Sequence, residues 1–125
     1  FKLSLEIKLV NNAGNSGIQF WSHAHDGEVS GYQADVGAGW WGKLYEEHGR
    51  GLIWENSGEA HVKPGEWNQY SIVANGDHIQ TFINGQACVD LIDPTGAKQG
   101  IIAFQLHSGG PTELRFRNIA LRIVD

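Results

Sequence analysis

The chain has 125 residues, with 9 Lys and Arg against 14 Asp and Glu, a formal net charge of −5. That length fits one domain with a real core, and the acidic balance argues against nucleic acid or an anionic membrane as partner, because both reward a basic surface. No apolar run approaches the roughly 20 residues that span a bilayer, no signal-peptide pattern is present, and Cys88, the single cysteine, excludes an intrachain disulfide and a zinc site built on several thiolates.

Phe1–Val10 alternates: Leu3, Leu5, Ile7 and Leu9 point to a core, and Lys2, Ser4, Glu6 and Lys8 point away. Methionine is absent, and this strand starts with no lead-in, so the numbering is expected to begin inside a longer protein. Asn11–Gly17 carries turn residues that tolerate positive φ. Ile18–His23 is the next strand, with Ile18 and Phe20 inward and Gln19, Trp21 and His23 on the opposite face. The loop His23–Gly27 holds His23, His25 and Asp26, which are metal-ligand types without a third fixed partner.

Glu28–Val36 places Tyr32, Ala34 and Val36 on one face and Gln33 and Asp35 on the other. A glycine-framed turn with Trp40 and Trp41 follows, then a strand Lys43–Glu47 with Leu44 on one face and Lys43, Tyr45 and Glu47 on the other. Arg50–Glu55 is a short strand and Asn56–Gly65 a loop. Glu66–Ala74, Asp77–Ile83 and Gln86–Leu91 form a meander through Asn75-Gly76 and Asn84-Gly85, the strongest hairpin signals present. Trp67 is expected in the core.

Gln99–His107 alternates again, with Ile102, Phe104 and Leu106 opposite Ala103, Gln105 and His107. In Thr112–Val124 the apolar phase changes from Leu114 and Phe116 to Ile119, Leu121 and Ile123, which implies a bulge near Arg117-Asn118. Ten short strands, 17 glycines and no helical period sustained over three turns predict an all-β fold, an antiparallel two-sheet sandwich over residues 1–125.

The polar faces carry the functional reading. Gln33, Asp35, Lys43, Tyr45 and Glu47 would present a carboxamide, two carboxylates, an ammonium and a phenol to one surface, with Trp41 or Trp40 as a stacking plane. That chemistry suits a sugar, which needs hydrogen bonds at its edges and an aromatic ring against its C–H face. Alternation selects Glu47 over Glu46 as a carboxylate partner for Asp35, and two carboxylates across a groove would serve glycosidic cleavage. His107, at a strand end, is a candidate acid/base. Gln105, Glu6, Arg50 and Arg117 are further candidates for contacts to sugar oxygens.

The order of motifs resembles a known family. Asn15-Ser16-Gly17-Ile18, Gly31-Tyr32-Gln33-Ala34-Asp35, Gly42-Lys43-Leu44-Tyr45, Gly65-Glu66-Trp67-Asn68, Asn84-Gly85, Ile102 to His107 and Phe116-Arg117-Asn118-Ile119 occur in the sequence of the 3-keto-disaccharide hydrolase domain family. The resemblance covers essentially the whole chain. It implies a concanavalin-A-like jelly roll, a carbohydrate substrate and a secreted or periplasmic location. Further strands usual in the family before the segment equivalent to Phe1–Val10 are missing here, which would leave a sheet edge open. Where the family commonly has Phe-Arg, this chain has Phe20-Trp21, so Trp21 would replace a charged contact by stacking.

The chemistry implied is elimination from a 3-keto-glycoside. The ketone acidifies the neighbouring C–H, a base removes that proton, and the glycosidic oxygen leaves. Asp35 and His107 would transfer protons, and Lys43, Tyr45 and Gln33 would donate to the enolate. No cofactor is required, and a divalent metal in the donors' role is left open, as is the oligomeric state. Two other readings use the same fold: a sugar-binding module without an acid/base pair, and a structural or assembly domain with a vestigial groove.

Overall fold

A computed structural model of the protein describes residues 1–106 and 111–123. Ten antiparallel strands are joined by turns and two short 3-10 segments: β1 Lys2–Leu9, β2 Asn15–His25, β3 Glu28–Gly37, β4 Leu44–Glu47, β5 Gly51–Trp54, β6 Trp67–Asn75, β7 His78–Ile83, β8 Gln86–Ile92, β9 Ile101–Leu106 and β10 Leu114–Arg122. Five make one sheet in the order β10-β1-β6-β7-β8, and five make the other in the order β5-β4-β3-β2-β9. The fold is the expected all-β sandwich.

The core lies between the sheets and follows the alternation of each strand. Leu3, Leu5, Ile7 and Leu9 of β1 face Tyr32, Ala34 and Val36 of β3 and Ile18 and Phe20 of β2, all buried. Tyr70, Ile72, Ile79 and Ile83 complete the first sheet's share. Apolar burial on this scale is the main stabilising term in a sandwich of this size. The Asn84-Gly85 hairpin has positive φ at both residues, 51° and 80°, as a two-residue type I′ loop requires.

Register shifts interrupt the pairing of β1 with β10, β2 with β3, β4 with β5 and β7 with β8, and the first two bear on the expected site residues. Ser4 pairs with Ala120 and Glu6 with Arg117, so β10 carries one extra residue, and Asn118 there has φ 53°. This is the phase change expected near Arg117-Asn118. The second bulge lies in β2, where Phe20 pairs with Tyr32 and His23 with Ser30. Trp21, with φ 44°, is the extra residue. A bulged residue re-aims its side chain, and Trp21 turns onto Phe1, Phe20 and Tyr32, with ring centroids 5.7–6.3 Å apart.

The sandwich is not closed. β9 and β10 each pair with one strand only, and inward-phase residues there stay exposed, including Phe104, Leu106, Leu121 and Ile123. Phe104 and Phe116 bridge the gap by stacking at 4.4 Å.

Candidate functional site

The outer face of the second sheet is where alternation sends the polar residues of β2, β3, β4 and β9. Strand pairing lines them up in rows. Gln105 of β9 lies opposite Gly17 of β2, which lies opposite Asp35 of β3. In the next row Ala103, Gln19, Gln33 and Tyr45 follow one another across four strands. Glu47 lies opposite Gly31 one row further.

Such a face is normally solvated, yet Gln33 is 4% exposed and Asp35 3%. Two features cover them. Gly17 has no side chain, and the Gln33 side chain lies over it: a Cβ on Gly17 would sit 2.3 Å from Gln33 Cγ. At the end of β3, the turn before β4 brings Trp40 over the face, edge-on to Tyr45 at 6.5 Å and beneath the Lys43 ammonium at 5.2 Å. The result is a hollow of about 200 Å³ walled by Gln33, Asp35, Tyr45, Glu47 and Gln105, with Asn15 and Trp40 at its mouth.

Its electrostatics set it apart. Gln33 Nε2 donates to Asp35 Oδ1 at 2.9 Å. Gln33 Oε1, Asp35 Oδ2 and Gln105 Oε1 are buried without a hydrogen-bond partner among the described residues. Unpaired buried polar atoms are costly, and three acceptors around one hollow call for a ligand that brings donors. Burial pushes the Asp35 carboxyl up to about 7. The Gln33 hydrogen bond and the Lys43 charge oppose that rise, and the Glu47 charge adds to it.

The structure brings Gln33, Asp35, Tyr45, Glu47 and Gln105 to one place, with Lys43 beside it. His107 lies outside the described residues. Four expectations are corrected. Trp41, expected at the rim, is 1% exposed, stacked on Tyr70 and donating from Nε1 to Asn12 Oδ1 at 3.1 Å. Trp40 holds the exposed position, at 37%. Trp21 is carried off the polar face by the β2 bulge. Glu6 and Arg117 do alternate outward, but on the first sheet, whose outer face is a different surface. Arg117 bonds Glu6 there and lies 3.9 Å over Trp67, which is thereby half-buried on the outside and not in the core.

Arg50 is also committed elsewhere. Its guanidinium holds Glu46 at 2.6 Å and the buried Asp93 at 2.5 Å, and Tyr32 donates to the same Asp93 carboxylate. This cluster ties the β4–β5 turn to the segment after β8. Asn15, expected in a turn, opens β2 instead, in phase with Gly17 and Gln19 and so on the site face. Among the described residues no three His, Cys, Asp or Glu side chains cluster as a metal site, the His23–Asp26 loop included. The hollow's own oxygen groups are the Asp35 and Glu47 carboxylates, the Tyr45 phenol and the Gln33 and Gln105 carboxamides.

The domain is thus a two-sheet β-sandwich with a buried carboxylate in a polar hollow, and its family makes it carbohydrate-related. The chain belongs to the 3-keto-alpha-glucoside-1,2-lyase-like domain family, which matches residues 1–122. No curated protein matches it significantly. Among solved structures it is similar to a candidate glycosyl hydrolase from Parabacteroides distasonis, at 22% identity over 94% of this chain and 75% of that one, with a TM-score of 0.64. The carbohydrate-binding module CBM66 from Bacillus subtilis is similar at 17% identity, covering 94% and 73% of the two chains, with a TM-score of 0.67. The Caenorhabditis elegans galectin LEC-6 shares 14% identity over 95% and 81%, with a TM-score of 0.58. Likeness at these identities is a likeness of fold.

Proposed function

We propose that the domain cleaves 3-keto-glycosides by elimination, with Asp35 as the base. The observation that carries this reading is Asp35 itself: a carboxylate lining the hollow, held by Gln33 through Oδ1, with Oδ2 buried and without a partner among the described residues. A base for a C–H beside a ketone works best when its pKa is near the working pH, and Asp35 is pushed up to about 7.

The step is written from C2 of a 3-keto-glucoside. Asp35 takes the C2 proton, the electron pair forms the C1–C2 double bond through the enolate, and the C1–O bond breaks. Tyr45 and Lys43 are the donors for the enolate oxygen, and the departing glycosidic oxygen leaves as the alcohol by taking a proton from solvent water on the Glu47 side of the hollow. Water then adds to the double bond and releases the 3-keto sugar. Gln33 acts as a positioning residue for Asp35, and its Oε1 accepts from a ligand hydroxyl. Trp40 offers its exposed ring to the sugar's C–H face.

The test is turnover of methyl 3-keto-α-glucoside. Asp35→Asn should abolish it while the protein stays folded; unchanged turnover overturns the assignment. The second reading, a binding module, is favoured by the hollow's short list of proton-transfer groups: Asp35, Glu47 and Tyr45 among the described residues. Calorimetric binding of a glucoside with no turnover of its 3-keto form would select it.

A further inference from the structure

Glu47, on the wall of the Asp35 hollow, has a neighbour that the elimination does not use. His48 Nε2 lies 3.8 Å from Glu47 Oε1 and 3.2 Å from Glu28 Oε2, so one ring nitrogen faces two carboxylates. A carboxylate only accepts, so Nε2 must carry a hydrogen to attract either of them. The two acids come from different strands: Glu28 opens β3 beside the Asp26-Gly27 tip, and Glu47 closes β4. The imidazole therefore joins the β2–β3 hairpin to the end of β4. The Glu47 side chain is held there at 26% exposure, on the wall of the hollow.

The ring stands on a fixed base. His48 takes φ 56°, a left-handed turn position. Gly49 N donates to the Glu46 carbonyl at 3.1 Å and Arg50 N to Glu46 Oε1 at 2.9 Å, which closes the turn. Arg50 fastens the same turn to Asp93. Anchoring of this kind lowers the ordering entropy that ordinarily cancels an exposed ion pair. We infer that His48 is a positioning residue for Glu47: it holds that carboxylate at the wall of the hollow and, when protonated, offsets the negative charge that Asp35 meets there. The inference deepens the reading of Asp35 as the base, and its consequence for turnover rests on that reading.

The sign follows from the charges. The Glu47 charge adds to the rise of the Asp35 value. An imidazolium against Glu47 lessens the net charge of that wall and so favours the ionised Asp35. Histidine is the side chain whose charge ordinarily changes near neutrality, and groups that interact through a shared neighbour titrate as a set. Protonated His48 thus lowers the pH at which Asp35 becomes a base, and loss of its proton raises it. Among the described residues, the other titratable groups around His48 are Glu46, paired with Arg50, Tyr32, which donates to Asp93, and His23. Those around Asp35 are Lys43, Tyr45, Glu47 and Tyr70, whose hydroxyl donates to the Asp35 carbonyl at 3.2 Å. Lys43 acts in the same sense as the imidazolium.

The experiment follows the Asp35 titration directly, by NMR of its labelled carboxyl carbon. His48→Gln removes the charge but keeps a donor, and should raise the Asp35 midpoint by about half a pH unit. His48→Arg, a permanent cation, should return the midpoint to the unaltered value or below it. In a Glu47→Gln background, His48→Gln should move the midpoint by less than about a fifth of a unit, because the carboxylate it acts through is gone. A midpoint that His48→Gln leaves in place, a shift of equal size in both backgrounds, or a failure of His48→Arg to restore the midpoint overturns the inference. Turnover of methyl 3-keto-α-glucoside is measured on the same proteins. A pH–rate inflection that moves with the NMR midpoint supports both readings. Midpoints that move as expected with no turnover in the unaltered protein defeat the elimination reading and uphold the role of His48.

Discussion

Gln33 donates to Asp35 at 2.9 Å from two residues away on the same strand. Side chains at i and i+2 share a face, so the pair is local in sequence, but its burial is not. The Gln33 amide lies over Gly17 of the neighbouring strand, and that packing removes water from the carboxylate.

Asp35→Asn separates activity from stability. Without a base at C2, turnover of methyl 3-keto-α-glucoside should fall by about 100-fold or more. Stability should move the other way. The folded carboxyl titrates at about 7 against 3.8 unfolded, so between those values the unfolded chain has released a proton that the folded chain retains. Unfolding free energy therefore drops as pH rises through that window. Removing the charge should recover roughly 2–4 kcal/mol at pH 8, measured by urea denaturation at pH 5 and pH 8; an equal loss at both values would refute the assignment.

The neighbours of Asp35 should tune its pH profile in opposite directions. The base must be ionised, so kcat/KM should rise with pH to a plateau above about 7. Glu47→Gln removes a repelling charge and should move the inflection to lower pH. Lys43→Ala removes an attracting one and should move it to higher pH. Coincident inflections in all three proteins would show that another group controls the rate.

Gly17→Ala tests the cradle. The new methyl would meet Gln33 at Cγ, Cδ and Nε2, displacing the carboxamide from Asp35. Overpacking of this kind costs about 1–3 kcal/mol. Displacing Gln33 removes a hydrogen bond that holds the Asp35 value down but readmits water to a carboxyl whose burial is the larger cause of its rise, so the inflection of the pH–rate curve should fall. An unchanged curve would mean that Gln33 does not act through Asp35.

The two adjacent tryptophans should behave differently. Trp41→Ala empties a buried site and should cost about 3–5 kcal/mol in denaturant unfolding. Trp40 is 37% exposed; Trp40→Ala should change stability by less than about 1 kcal/mol and weaken calorimetric binding of a glucoside. The reverse pattern would exchange their assigned places.

Asp93 supplies the acid limb of stability. Arg50 and the Tyr32 hydroxyl hold its carboxyl well below the usual carboxylate range. A depressed folded value gives stability that is present above the unfolded pKa of about 4 and is lost as pH falls below it. Asp93→Asn should flatten the pH 2–5 limb of the thermal melting curve while leaving the limb above pH 5 in place.

Alternation along the chain was enough to place ten strands, the inward faces of β1, β3 and β4, the β10 bulge and the polar set Gln33, Asp35, Tyr45, Glu47 and Gln105. This is because a strand has period two, and residues of like phase on hydrogen-bonded neighbours must share a surface. Phase alone says inside or outside and is silent on which of two sheets a strand joins. Glu6 and Arg117 therefore read like site residues until the pairing of β1 with β10 put them on the other sheet. Nor does phase survive an inserted residue, which is how Trp21 left the polar face, or describe a turn, where it could not say which of Trp40 and Trp41 is exposed. Long-range packing decided the rest: Gln33 over Gly17 for the buried acid, and Asp93 after β8 drawing Arg50 away from the site. Neither contact lies within a span that periodicity can read.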